Sequence, residues 1–185
     1  MPHLKYPVAL SAFIMILLLN ACIMGEDCVE CYFEDPEPMT TMLLKIVASG
    51  TSDTVTYRFY DPDGTDTQTS APMDTIYLLN NMSYRADIFL YDETASPIVD
   101  VTKEIRAERK EHCFFFINGN ELSLNVSYLD SDQDGQPVGL ASQWNVGNAS
   151  EDTLFINLRH LTVYKDGNPN NGEADMNAHF FVKVQ

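Results

Sequence analysis

Glu173-Ala174-Asp175-Met176-Asn177-Ala178-His179-Phe180-Phe181-Val182-Lys183-Val184 is the most regular stretch of the chain. Ala174, Met176, Ala178, Phe180, Val182 and Val184 fall on one side of an extended backbone. Glu173, Asp175, Asn177, His179 and Lys183 fall on the other. Successive side chains of a strand point to opposite faces, so this alternation predicts a strand with one wet face and one face in a core.

The same period of two recurs upstream. It is seen in Met42, Leu44, Ile46 and Ala48, in Val55, Tyr57 and Phe59, and in Tyr84, Ala86, Ile88 and Leu90. Val99, Val101 and Ile105 follow, then Leu122, Leu124, Val126 and Tyr128. Turn-forming clusters separate the runs, among them Asp61-Pro62-Asp63-Gly64, Asn80-Asn81, Asn118-Gly119-Asn120, Asp134-Gly135 and Asp166-Gly167-Asn168-Pro169. Only Arg106 to Glu111 carries a helical pattern, for a turn or two. About eight or nine short strands at this spacing predict an all-β domain over 41–185, a single antiparallel β-sandwich of immunoglobulin-like type. Between Thr153 and Tyr164 the apolar parity switches, from Leu154, Ile156 and Leu158 to Leu161 and Val163. A bulge near Arg159-His160 accounts for such a switch.

The segment before the domain reads differently. An apolar run from Val8 to Leu19 follows a start whose only basic residues are His3 and Lys5, and it closes on Leu19-Asn20-Ala21-Cys22. The run is too short for a spanning helix, which needs about 20 residues. It fits a signal peptide over 1–21 that ends in a lipobox, with small Ala21 at the cleavage site and Cys22 as the acylated residue. The other reading is an ordinary secretory signal with a chance cysteine. Acyl chains contribute about 0.8 kcal/mol per buried methylene, so two or three of them hold a protein at a membrane. Residues 22–40 include Glu34-Asp35-Pro36-Glu37-Pro38, a composition that cannot bury apolar area and reads as a tether.

The formal charge of the 185 residues is −16, and loss of Lys5 with the signal peptide takes it to −17. Nucleic acid and anionic headgroups would be repelled by such a surface, so no nucleic-acid partner is expected. About 164 residues then remain, enough for a core that needs no metal or disulfide to fold. Cys28 and Cys31 form a Cys-x-x-Cys in the tether, open to a local disulfide, idle thiols, metal ligation or redox catalysis, although the buried strand and helix that flank the motif in a thioredoxin-like enzyme are missing. Cys113, beside Phe114-Phe115-Phe116, reads as a small buried hydrophobe.

Three groups of residues offer candidate chemistry. Asp130, Asp132 and Asp134 alternate before Gly135, as the oxygen ligands of a calcium loop do. An EF-hand would place Glu at residue 141, where Ala141 stands. A calcium-binding β-loop of another kind and a plain acidic hairpin turn both stay open, and Asp61-x-Asp63-Gly64-x-Asp66 is a weaker copy. His112, His160 and His179 could converge with Glu111, Glu173 or Asp175 on a transition metal, against the alternative of surface or hydrogen-bonded histidines. Tyr57, Tyr60, Phe89, Tyr91 and Trp144 are core or cross-strand aromatics or a ligand face, with Phe89 and Tyr91 on the polar side of their strand. The sequence contains no Gly-x-Ser-x-Gly elbow, no His-Glu-x-x-His and no phosphate-cradling glycine loop, so a non-catalytic protein is expected.

Glu111-His112-Cys113-Phe114-Phe115-Phe116 and Asp130-Ser131-Asp132-Gln133-Asp134-Gly135-Gln136-Pro137-Val138-Gly139-Leu140 resemble the small envelope lipoproteins of Bacteroidota catalogued under a type 1 periplasmic binding fold label. Leu158-Arg159-His160, Asp166-Gly167 and Gly172-Glu173-Ala174-Asp175 extend the resemblance over roughly 41–185. This chain departs from the pattern at Cys113, where members carry Gln, and at 148–152, where members have a Gly-rich turn. The label denotes two α/β lobes around parallel sheets, which the strand-rich pattern here does not supply. The resemblance implies an accessory or binding module, lipid-anchored at the outer membrane, that accompanies a receptor of the TonB-dependent kind. A structural, adhesin- or fimbria-like subunit is the alternative; such subunits need a donated strand or an open groove.

Overall fold

A computed structural model describes residues 38–62, 73–161 and 164–185. Cys22, Cys28, Cys31 and residues 63–66 of the Asp61–Asp66 motif lie outside those residues, as do Thr162 and Val163. Among the described residues ten strands and one short helix form. They are β1 (Thr41–Ala48), β2 (Thr54–Tyr60), β3 (Thr75–Leu78), β4 (Ser83–Asp92), β5 (Val99–Asp100), α1 (Thr102–Ala107), β6 (His112–Asn118), β7 (Leu124–Tyr128), β8 (Ala141–Val146), β9 (Ser150–His160) and β10 (Glu173–Val184).

They make the expected two-sheet sandwich. One sheet runs β2-β1-β4-β8-β7, with β5 paired to the end of β4; the other runs β3-β10-β9-β6. The orders β4-β8-β7 and β10-β9-β6 are the B-E-D and G-F-C orders of an immunoglobulin domain, and the β1–β2 hairpin extends the first sheet beyond β4. One pairing is not antiparallel, because β3 lies parallel to β10. Chain order explains it: a parallel pair needs a long crossover, and most of the domain separates these two strands. β10 therefore occupies an inner place in its sheet, between β3 and β9.

Inward side chains of both sheets fill the space between them, as the alternation requires. Met42, Leu44, Ile88, Leu90 and Trp144 from the first sheet meet Phe114, Leu154, Ile156 and Phe180 from the second, all with 2 % exposure or less. Trp144 Nε1 donates to Ser142 Oγ at 2.9 Å, which satisfies its one polar atom inside the core, and its ring meets Phe116 edge-on at 6.4 Å. The packed chain begins before the expected boundary at residue 41. Met39 and Thr40 are already buried, and the Thr40 N–H donates to Tyr91 O.

Helix α1 lies four residues earlier than the pattern at 106–111 suggests. Val101 and Ile105 are spaced by four, so one helical face buries both; a period of two also fits 99 and 101 and hides the switch. Thr102 anchors the turn, with its Oγ1 accepting from Leu90 N–H at 2.8 Å. The free edge of β6 is covered by the β7–β8 connection, where Phe114 N–H donates to Val138 O and Tyr128 Oη donates to Phe114 O. Gly139 makes that approach feasible. Its φ is +95°, and a Cβ there would lie 2.8 Å from Phe114 Cβ.

Candidate metal centre

The bulge expected in β9 near Arg159-His160 sits instead on the facing strand. Glu173 pairs with His160 and Ala174 with Arg159, but Met176 pairs with Leu158, so Asp175 is the extra residue of β10. One extra residue reverses the faces on either side of it. Ala174, which the alternation assigns to the core face, is exposed, while the side chain of Asp175, assigned to water, is only 9 % exposed. The parity switch in β9 has a separate cause. That strand ends at His160, and Leu161 joins Cys113 and Phe115 in a small cluster outside the main core.

Asp175 is turned toward a histidine pair. His112 of β6 and His160 of β9 are directly opposed residues, on the same face as the Phe114–Leu158 and Phe116–Ile156 pairs, and their rings stack at 4.6 Å. One ligand atom from each of His112, His160 and Asp175 lies within 4.8 Å of the other two. His112 is buried; His160 is half-exposed, and its Nε2 stands 3.2 Å from Glu111 Oε2. Gly172, with φ +76°, lets the chain pass under this site, because a Cβ there would collide with the His160 carbonyl.

Hydrogen bonding fixes the His112 ring. Its Nδ1 lies 3.1 Å from Glu108 O, and a carbonyl only accepts, so the proton belongs on Nδ1 and the Nε2 lone pair is left free. That lone pair faces Asp175 Oδ2 at 3.4 Å. The separation is within ion-pair range but outside hydrogen-bond geometry, and Asp175 Oδ2 is a buried oxygen with no hydrogen-bond partner among the described residues. Two lone pairs facing each other out of water repel, so a positive species belongs between them. A proton on Nε2 is one answer. Burial opposes the imidazolium, but Asp175 and the Glu108 carbonyl outweigh it, and the His112 pKa is raised.

A metal ion is the other answer. Two ligand atoms held at about 2.0–2.1 Å from a tetrahedral zinc ion lie about 3.3–3.4 Å apart, which matches the His112–Asp175 separation. His160 must swing from Glu111 to complete a two-nitrogen, one-oxygen set, and its exposure allows that. Glu111 or water would then take the fourth position. Of the other residues in this candidate group, His179 does not join; it packs against Phe59 and Phe155 on the other half of β10. Glu173 is exposed.

The three aspartates of the acidic loop have other partners. Asp130 accepts from Gly139 and Leu140 N–H; Asp132 Oδ1 accepts from Asp134 and Gln136 N–H; Asp134 pairs with Lys110 at 2.9 Å. Lys165 Nζ lies 3.1 Å from Asp132 Oδ2 and also donates to Arg109 O and Pro137 O. These are the contacts of a self-satisfied turn, and a calcium ion would have to displace Lys165. Burial, backbone donation from Gln136 and the Lys165 charge act on Asp132 together, and the two donors outweigh burial to lower its pKa.

Among the aromatics, Trp144 is core, Lys45 Nζ lies 4.4 Å above the Phe89 ring, and Arg58 covers Tyr60 at 4.3 Å. Tyr57 packs against the core, and Tyr91 is half-buried. No helix among the described residues is long and apolar enough to cross a membrane. Comparison of the chain with protein-family models, with curated proteins and with solved structures gives no match.

Proposed function

We infer that this chain is a lipid-anchored, non-catalytic binding module of the bacterial envelope that takes a divalent transition-metal ion, with His112, His160 and Asp175 as its ligands. The observation that carries this is the buried Asp175 oxygen, which makes no hydrogen bond among the described residues and faces His112 Nε2 at 3.4 Å, the spacing of two ligands on one ion. Imidazole and carboxylate together suit zinc, and also copper, nickel and iron, better than calcium or magnesium. The lipobox at Leu19-Asn20-Ala21-Cys22 supports attachment of the domain through Cys22 and the acidic tether. Partnership with an outer-membrane receptor rests on the family resemblance, and the acidic surface would concentrate cations near such a receptor.

The test is titration of the full chain, solubilised in detergent and freed of metal, with Zn2+ by calorimetry and with Co2+ by visible absorption. The Cys28→Ser/Cys31→Ser background removes the other candidate ligands. One ion per chain is expected, with Co2+ bands of low coordination number. Asp175→Asn, which keeps shape, and His160→Gln, at a half-exposed position, should each weaken binding by about tenfold or more. Equal affinity in these variants and the parent would overturn the assignment.

A further inference from the structure

A second site lies where α1 and the turn after it meet β4 and the β7–β8 connection. A cavity of about 290 Å³ opens there, lined by Arg85, Arg106 and Arg109 together with the apolar Val138 and Leu140. The chain has only five arginines against a net charge of −16, and three of them line this cavity. Arg85 is held in place by Asp87, with Nε and an Nη at 2.8 and 2.7 Å from the two carboxylate oxygens. Arg106 and Arg109 differ: among the described residues their guanidinium groups have no hydrogen-bond or ion-pair partner. The remaining acid of the lining, Asp130, is engaged by the Gly139 and Leu140 N–H groups.

We propose that this cavity binds a small organic anion, its carboxylate or phosphate group gripped by Arg106 and Arg109 beside the pinned Arg85 and its short apolar body laid over Val138 and Leu140. Planar guanidinium forks match both oxyanions and give charge-assisted, directional bonds, which single lysines on a surface do not. The volume is at the lower end of small-molecule sites, so the ligand is small. The surrounding charge selects in the same direction. A macromolecular polyanion is repelled by the rest of the surface, whereas a small anion needs only the local field of three arginines. The cavity shares no residue with the His112–His160–Asp175 cluster, so the proposal stands or falls apart from metal binding.

The experiment is calorimetric titration of the metal-free full chain with succinate and, separately, with inorganic phosphate at low ionic strength. The protein is dialysed clear of chelators, which are themselves polycarboxylates. Saturable binding of at least one probe is expected, weakened about tenfold or more by Arg106→Gln and by Arg109→Gln. Lys183→Gln, the same charge change on the other sheet, should leave it unaltered. The preferred probe identifies the ligand as a carboxylate or a phosphate compound. Absence of saturable binding into the millimolar range overturns the proposal, as does equal weakening by Lys183→Gln. Binding of an acidic peptide without binding of either small anion also overturns it, in favour of a protein partner.

Discussion

Asp132 shows how a residue's role depends on what the fold brings to it. In sequence it is the middle member of an acidic triplet; in the fold it is the acceptor for two backbone N–H groups and for Lys165. The exposures of the Lys165 and Asp132 side chains are 4 % and 3 %. Removing one partner strands the other charge, so Asp132→Asn should cost about 3 kcal/mol, the lower end for breaking a covered pair. Because the Asp132 pKa is lowered on folding, its stabilisation is present above the unfolded carboxyl value near pH 4 and is lost as pH falls through the folded value. Urea denaturation of parent and variant should therefore show a constant gap from neutrality down to about pH 4 that closes at more acid pH. A parent midpoint that rises with added Ca2+ would favour the calcium reading over the turn, and a gap that persists at pH 2 would show that the variant loses something other than the Asp132 charge. At the same scale, Cys113 illustrates a residue whose sequence reading and structure agree. Burial pushes its thiol up to about 11, as fits a packed hydrophobe.

Strands differ in how much they carry, and their place in the sheet decides it. β10 is paired on both sides and sends Phe180 into the core with 0 % exposure, whereas β2 is an edge strand whose Val55 is 51 % exposed. Phe180→Ala should cost about 3–5 kcal/mol, and Val55→Ala less than about 0.5 kcal/mol. The single tryptophan, Trp144, is buried on the first sheet, so its fluorescence reports loss of packing between the sheets in both denaturation curves. Similar midpoints for the two variants would contradict this placement. At the element scale, too, the residues of the proposed metal site were only half legible. His112 and His160 are recognisable as candidates by type, but their opposition is a matter of strand register. Asp175 reads as solvent-facing until the bulge turns it inward.

For the whole molecule, the expectation is an anchor, a tether and a binding domain. Cys22→Ser should abolish incorporation of labelled fatty acid and release the protein from the membrane fraction, with the domain still folded. Retention of label in that variant would refute the lipobox. The interior position of β10 also bears on the alternative of a polymerising subunit, since the final strand already fills its own sheet. Sequence alone determined the strand-rich class, the turns between strands, the burial of alternate residues and the acidic surface. Each of these follows from local periodicity or from composition, which a linear reading captures. Only the tertiary structure decided the parallel β3–β10 pair, the bulge at Asp175, the histidine pairing, the capture of Asp132 by Lys165 and the meeting of Arg85 with Arg106 and Arg109. Those depend on register and on contacts between residues far apart in the chain, where a shift of one position exchanges a solvent-facing carboxylate for a buried one.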